Sequence, residues 1–300
     1  EKYDEWKDDK NFVEDVMRFL DNVLTDFINK APDSFANAKY SAAKERSVGL
    51  GVMGLHSYFQ QKNIPFGSVM SKVWNKKIFS NIQKKVDKAS QDLADERGAC
   101  PDAEEFGIKE RFSNKTAIAP TASISIICGG ASPGIEPIAA NSYTHKTLSG
   151  SYNVRNKYLV KILEKYQKNT DEVWSSITTN QGSVSHLDFL TEEEKDVFKT
   201  AFEIDQRWIV ELGADRTPHI SQAQSVNIFI PADVHKKKLH EIHFQAWKQG
   251  LKSLYYCRSK SIQRAENINS GSSTDVTKNV YSNKGESDKE NDHEECLSCQ

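Results

Sequence analysis

The chain predicts an α/β fold, and three observations carry that expectation. Apolar residues recur with helical spacing in six stretches, short apolar runs of strand composition occur in three places, and long helical stretches separate those runs. The first helix is expected over 10–29, where Phe12, Val13, Val16, Phe19, Leu20, Val23, Leu24, Phe27 and Ile28 keep the i, i+3, i+4, i+7 spacing of one apolar face. Further helices are expected over 40–62, 69–97, 156–168, 191–212 and 233–249, and strands over 116–119, 226–230 and 253–256. No internal repeat is visible. The one clear boundary lies near Arg264, which divides a folded unit over 1–264 from a tail over 265–300. From Ala265 to Glu295 the tail is rich in Ser, Asn and Gly, holds few large apolar residues and closes on an acidic run. Such a segment cannot bury enough apolar surface to offset its ordering entropy, so disorder is expected.

Two local patterns are decoys. Gly49-Leu50-Gly51-Val52-Met53-Gly54 matches the dinucleotide-binding pattern, which also requires a hydrophobic strand before it and an acidic residue about 20 positions later. Here Ala42-Ala43-Lys44-Glu45-Arg46-Ser47 precede it and Val73, Trp74 and Asn75 stand in the later window, so small residues allowing close helix packing are the better account. His240-Glu241-Ile242-His243 is one residue short of the zinc-protease motif, on a helix rich in lysine, and reads as surface or interface histidines.

Composition bounds the rest. Three hundred residues, 37% hydrophobic and 27% charged, form one large domain or two small ones with ample core. A net charge of -2 offers no basic field for nucleic acid or anionic membrane. No apolar stretch reaches the length of about 18 residues that a membrane helix needs, and the first residues hold no signal core. Five cysteines, only two of them closely spaced, make no disulfide framework, so a reducing cytoplasm is the expected compartment. A chain that begins at Glu1 is expected to be processed, truncated or one piece of something larger.

Three segments carry chemistry. Residues 116–137 run from a short strand through Pro120, Thr121, Ser123 and Ser125 into a loop with Gly129, Gly130, Pro133 and Gly134. Hydroxyls and unpaired amides at a strand-to-helix turn make an anion cradle for phosphate; the alternative is a capping cluster without a ligand. Tyr255-Tyr256 lies in the third strand. Adjacent strand residues point to opposite faces, so the pair reads either as β propensity or as a redox relay of two phenols. Cys296-Leu297-Ser298-Cys299 closes the chain on a tether with a reach of roughly 30 Å. Zinc needs four ligands and only His293 lies close by, while Asp292, Glu294 and Glu295 disfavour thiolate. The pair reads as a dithiol courier re-reduced by another redox protein, or as terminal cysteines without a role.

Taken in this order, the PTASIS turn with GGASPGIEP, the SLYYCRSKSIQRA strand and the terminal Cys-x-x-Cys resemble the large (α) subunit of class I ribonucleotide reductase. FEIDQRWIVELGADRTPHISQAQSVNIFIP at 202–231 and ERSVGLGVMGLHSYF at 45–59 resemble the same family, and the resemblance runs from about residue 10 to the terminus. It implies the C-terminal half of a ten-stranded α/β barrel, built from two five-stranded halves, with surrounding helices and a disordered tail. It also implies reduction of ribonucleoside diphosphates through a thiyl radical. Thr121, Ala122, Ser123 and Ile124 would then hold the substrate phosphates. Tyr255 and Tyr256 would pass the radical from a metal-containing small subunit, so that no cofactor belongs to this chain. Cys296 and Cys299 would reduce the active-site disulfide and be reduced by thioredoxin or glutaredoxin. The helix over 233–249 lies where that family's large subunit receives the small subunit's C-terminal peptide.

The departures are as informative. The family's radical cysteine lies in an Asn-x-Cys-x-Glu loop, and two positions before the five cysteines here stand Gly98, Ile126, Tyr255, Glu294 and Leu297. The disulfide-forming active-site cysteines and the nucleotide-sensing region have no counterpart either. The expectation is a C-terminal portion that completes a barrel with an N-terminal large-subunit polypeptide. The alternative is a non-catalytic adaptor that binds the small subunit, which would need neither the tyrosine pair nor the thiols. A free-standing thiol-disulfide protein would require a βαβ surround that the tail lacks.

Overall fold

The computed structural model describes residues 1–147 and 150–259; the tail, with Cys296 and Cys299, lies outside them. Helices come first in the chain: α1 (Tyr3–Trp6), α2 (Phe12–Lys30), α3 (Ala36–Glu45), α4 (Leu55–Gln61), α5 (Val69–Arg97), α6 (Pro101–Glu105) and α7 (Ala122–Ile127). A hairpin follows, β1 (Ser142–Thr147) antiparallel to β2 (Gly150–Arg155), then α8 (Lys157–Lys165), α9 (Asp171–Thr179), α10 (Glu192–Val197) and α11 (Gln206–Arg216). The described part ends with β3 (Ile228–Ile230), α12 (Lys236–Lys248) and β4 (Cys257–Ser259).

Four extended segments lie side by side, all parallel and in chain order. Residues 48–50 bond to 114–117 through Val48 N to Asn114 O at 2.9 Å and Ala117 N to Leu50 O at 3.1 Å. Residues 116–118 bond to 222–225 through Gln222 N to Thr116 O at 2.9 Å and Ser225 N to Ile118 O at 3.0 Å. β3 then pairs with β4, Ile228 opposite Cys257. Helices fill each connection, as a parallel arrangement requires. Among the described residues the array stays open instead of closing on itself. One face packs on helices: Ile118, Val226 and Ile228 join Phe79, Ile82, Val86 and Leu93 of α5 and Ile209 and Leu212 of α11 in one core. A smaller second core joins α8, α9 and α10 around Leu159, Trp174, Ile177 and Phe198.

α5 begins where a capping box requires: Ser68 Oγ accepts from Ser71 N at 3.1 Å and Ser71 Oγ from Ser68 N. α2 lies against α5 through Val13 and Met17 and buries Asp21 in the seam. Asp21 accepts from Arg46 Nη2 at 2.6 Å, Arg97 Nη1 at 2.8 Å and Arg111 Nε at 2.9 Å. Burial alone would raise its carboxyl, but the hydrogen bonds from Arg111, Arg97 and Arg46 outweigh it and hold the group below the usual carboxylate range.

Several expectations are corrected. Residues 40–62 are not one helix: Arg46 takes a left-handed conformation, φ 44°, ends α3 and turns its guanidinium into the Asp21 cluster. The glycines that follow serve extended backbone, not helix packing. A Cβ at Gly51 would stand 2.4 Å from Ala117 O, and one at Gly49 3.1 Å from Ala117 Cβ, so glycine lets two parallel segments close up. The stretch 191–212 is two helices, because Thr191 and Asp205 each accept from a following backbone N–H and start a new helix. α9 and the β1–β2 hairpin were not expected from apolar spacing. The ladder of the last strand begins at Tyr255 and runs on to Ser259. Among the described residues no helix is long and apolar enough to cross a membrane.

Candidate functional site

The tyrosine pair stands at the mouth of the last strand, and its rings converge. Their centroids are 4.2 Å apart with planes tilted by 54°. Neighbours on a regular strand would face opposite ways, so the backbone there departs from the ladder. Tyr255 N donates to Val226 O at 2.9 Å, while Ile228 N donates to Tyr256 O at 2.9 Å. A regular parallel register would bring Tyr256 N to Val226 O; one extra residue stands on the tyrosine side, which is a β-bulge. The N–H of Tyr256, left out of the ladder, donates to Asn227 Oδ1 at 2.9 Å.

Asn227 is fully buried, and its Nδ2 donates to Glu136 Oε1 at 2.7 Å. Glu136 is also buried, in the GIEP segment that follows the glycine loop. Burial pushes its carboxyl up to about 7, against the lowering effects of the Asn227 hydrogen bond and the Arg258 charge. Arg258 comes from β4, two residues beyond Tyr256, and its Nε is buried without a hydrogen-bond partner among the described residues.

The segment carrying Glu136 is anchored from α4. Ser132 N donates to Ser57 Oγ at 2.8 Å, Ser57 N to Ser132 Oγ at 3.1 Å, and Gly54 N to Ser132 O at 2.7 Å. Ile138 N donates to Nδ1 of His56, a ring that burial keeps neutral by pushing it down to about 3, at 3.0 Å. These bonds hold Glu136 in place from both sides.

Tyr255 lines a hollow of about 470 Å³ on the side of the array away from the helical core, beside Gly49, Ala117, Ala119, Ala223 and Ser225. The small side chains keep that face open. A larger cavity of about 540 Å³ lies by α1, α2 and α4, with a mostly apolar lining that includes Trp6, Phe12, Leu50 and Tyr58, and with Glu1, Lys2 and Lys157 also lining it. Cys128 reaches its edge. The smaller hollow, lined by Tyr255 with the polar side chains of Gln222, Ser225 and Ser253 and adjoining the Tyr255–Tyr256 pair, is the better candidate site.

Thr121 caps α7 in a left-handed conformation, φ 55°, and its Oγ1 accepts from Gly134 N at 2.7 Å, drawing the loop back over the turn. Ala122, Ser123 and Ile124 form the first turn of α7, at the end of the 116–118 segment. None of these four residues lines either hollow. The structure therefore gathers Tyr255, Tyr256, Asn227, Glu136 and Arg258 at one place and sets the Thr121–Ile124 turn apart at the end of a neighbouring segment. Cys100, Cys128 and Cys257 are unpaired among the described residues. Glu136, Asn227 and Arg258 were not singled out by sequence; the one available signal was an acidic residue inside the apolar GIEP run.

A parallel, helix-flanked array that shows a small-residue face to a hollow is the anatomy of an α/β barrel domain cut open. The family model described as the ribonucleotide reductase barrel domain matches residues 1–112 and 102–257, and the chain belongs to this family. A ribonucleoside-diphosphate reductase large subunit from Invertebrate iridescent virus 6 is 50% identical over 274 residues, 90% of this chain and 28% of the relative. The large subunit of Invertebrate iridescent virus 3 is 42% identical over 275 residues, 91% of this chain and 43% of the relative. Among solved structures, the Actinobacillus ureae class Id ribonucleotide reductase alpha subunit matches with a TM-score of 0.80 and 39% identity, over 87% of this chain and 48% of that one. The chain spans between 28% and 48% of the length of these three proteins.

Proposed function

We propose that this chain is the C-terminal portion of a ribonucleoside-diphosphate reductase large subunit and acts with an N-terminal large-subunit polypeptide and a radical-generating small subunit. The observation that carries the reading is the convergence of Tyr255 and Tyr256 at 4.2 Å, with Tyr255 on the open inner face of the array. Two phenols in contact shorten each step of a long-range transfer of an electron and a proton. The pair thus connects an external radical source to the barrel interior.

In the reaction a ribonucleoside diphosphate loses its 2′-hydroxyl as water. The two electrons come from a dithiol that becomes a disulfide. The radical cysteine and that dithiol belong to the N-terminal polypeptide. The Thr121–Ile124 turn receives the substrate phosphates, which the amides of a first helical turn suit. Cys296 and Cys299, on the tail, reduce the internal disulfide by exchange and are reduced in turn by thioredoxin or glutaredoxin. The metal that makes the radical belongs to the small subunit. The folded unit spans 1–264 and the tail 265–300.

The test is complementation. The chain alone binds nucleoside diphosphate weakly and does not turn over; adding the N-terminal piece and the small subunit restores deoxynucleotide formation. Tyr255→Phe and Tyr256→Phe each abolish that turnover with substrate affinity nearly unchanged, since phenylalanine keeps the ring and removes only the oxidisable O–H. Near-normal rates in both variants would overturn the relay.

A further inference from the structure

We propose that Asn227 and Glu136 are positioning residues for the tyrosine pair: together they lock the β-bulge that turns Tyr255 and Tyr256 toward each other. The proposal rests on the relay reading and says what enforces the relay's geometry.

A bulge here competes with the regular ladder. Slipping the tyrosine strand by one residue would give Tyr256 N the carbonyl of Val226, satisfy every backbone group and send the two rings to opposite faces. In the structure Val226 O is instead taken by Tyr255 N, and the displaced amide of Tyr256 finds Asn227 Oδ1. A buried amide without an acceptor would be costly, so the bulge depends on that side-chain oxygen. The carboxamide must present its oxygen to Tyr256 and its nitrogen elsewhere. Glu136 supplies the nitrogen's acceptor at 2.7 Å, which fixes the orientation of the amide group. Glu136 is held in turn by the loop anchored on Ser57 and His56, and Arg258 is the charged group that faces it from β4. Asn227 and Glu136 are 91 residues apart in sequence, and each has a hydrogen-bonding reason to sit where it does.

The experiment uses the reconstituted reductase with saturating reductant. Asn227→Leu removes the acceptor and lowers kcat by about tenfold or more, the scale of one lost buried hydrogen bond, while KM is unchanged. Glu136→Leu does the same more weakly, and Glu136→Gln, which keeps an oxygen acceptor for Asn227, loses less than Glu136→Leu. Amide exchange at Tyr256 quickens in Asn227→Leu, and a crystal structure of that variant shows the two rings parted. Rings that stay together in Asn227→Leu, or a wild-type kcat in it while Tyr255→Phe and Tyr256→Phe are dead, would overturn the proposal. Should Asn227→Leu fail to fold, the Glu136→Leu and Glu136→Gln comparison decides: equal kcat in the two overturns it. Failure of the relay reading has its own signature, active Tyr→Phe variants.

Discussion

Replacing Glu136 by glutamine removes a pH dependence of stability that can be worked out from the site. Glu136 is 6% exposed, and burial pushes its carboxyl from 4.5 up to about 7. The folded protein therefore holds this proton at pH values where the unfolded chain has released it. The contribution of the group to stability is whole below pH 4.5 and is lost as the pH rises through about 7. The gap corresponds to about 3 kcal/mol. Glutamine keeps the oxygen that accepts from Asn227 and does not titrate, so it escapes this loss. Equilibrium urea unfolding of both proteins between about pH 5 and about pH 8.5 isolates the effect as a difference, cancelling every other titrating group. The glutamine variant gains on the wild type by up to about 3 kcal/mol across that range, most steeply between the unfolded value of 4.5 and the folded value of about 7, and levels off above it. A difference that stays flat with pH would refute the reasoning, because it would mean the carboxyl is not desolvated.

Gly51→Ala places a Cβ 2.4 Å from Ala117 O, forces two parallel segments apart and costs about 1–3 kcal/mol in urea unfolding. Gly49→Ala, whose Cβ meets a methyl at 3.1 Å, costs less, and equal losses would count against the close-approach account. Asp21→Ala leaves Arg46, Arg97 and Arg111 facing one another and destabilises by about 3–5 kcal/mol. Because the Asp21 carboxyl is lowered, its contribution is present above 3.8 and lost as the pH falls through the lowered range; acid-unfolding curves of wild type and Asp21→Ala should converge there.

Local order was legible in the sequence. The helical span of α2, the long α5 and the runs at 116–119 and 226–230 follow from spacing alone. Of the expected α2 stripe, however, only Val13 is buried, while Phe12, Phe19, Val23 and Phe27 are exposed and Met17 and Asp21 face the core instead. The tyrosines could be named, and so could the Thr121 turn. What they do relative to one another could not. Periodicity carried a helix through Arg46, but the Asp21 cluster, 25 residues away, ends it there. The same reading made helix-packing residues of Gly49 and Gly51, whose real neighbour, Ala117, arrives only when the parallel array forms. Alternation put Tyr255 and Tyr256 on opposite faces; a bulge with an acceptor from Asn227 brings them together. Glu136 was unremarked because nothing in a GIEP tetrapeptide states that its carboxyl will be buried against an amide 91 residues later. Spacing along the chain determines which side chains share a surface. Register, burial and the partner of each polar group depend on which distant segment closes over it, and only the tertiary structure decides that.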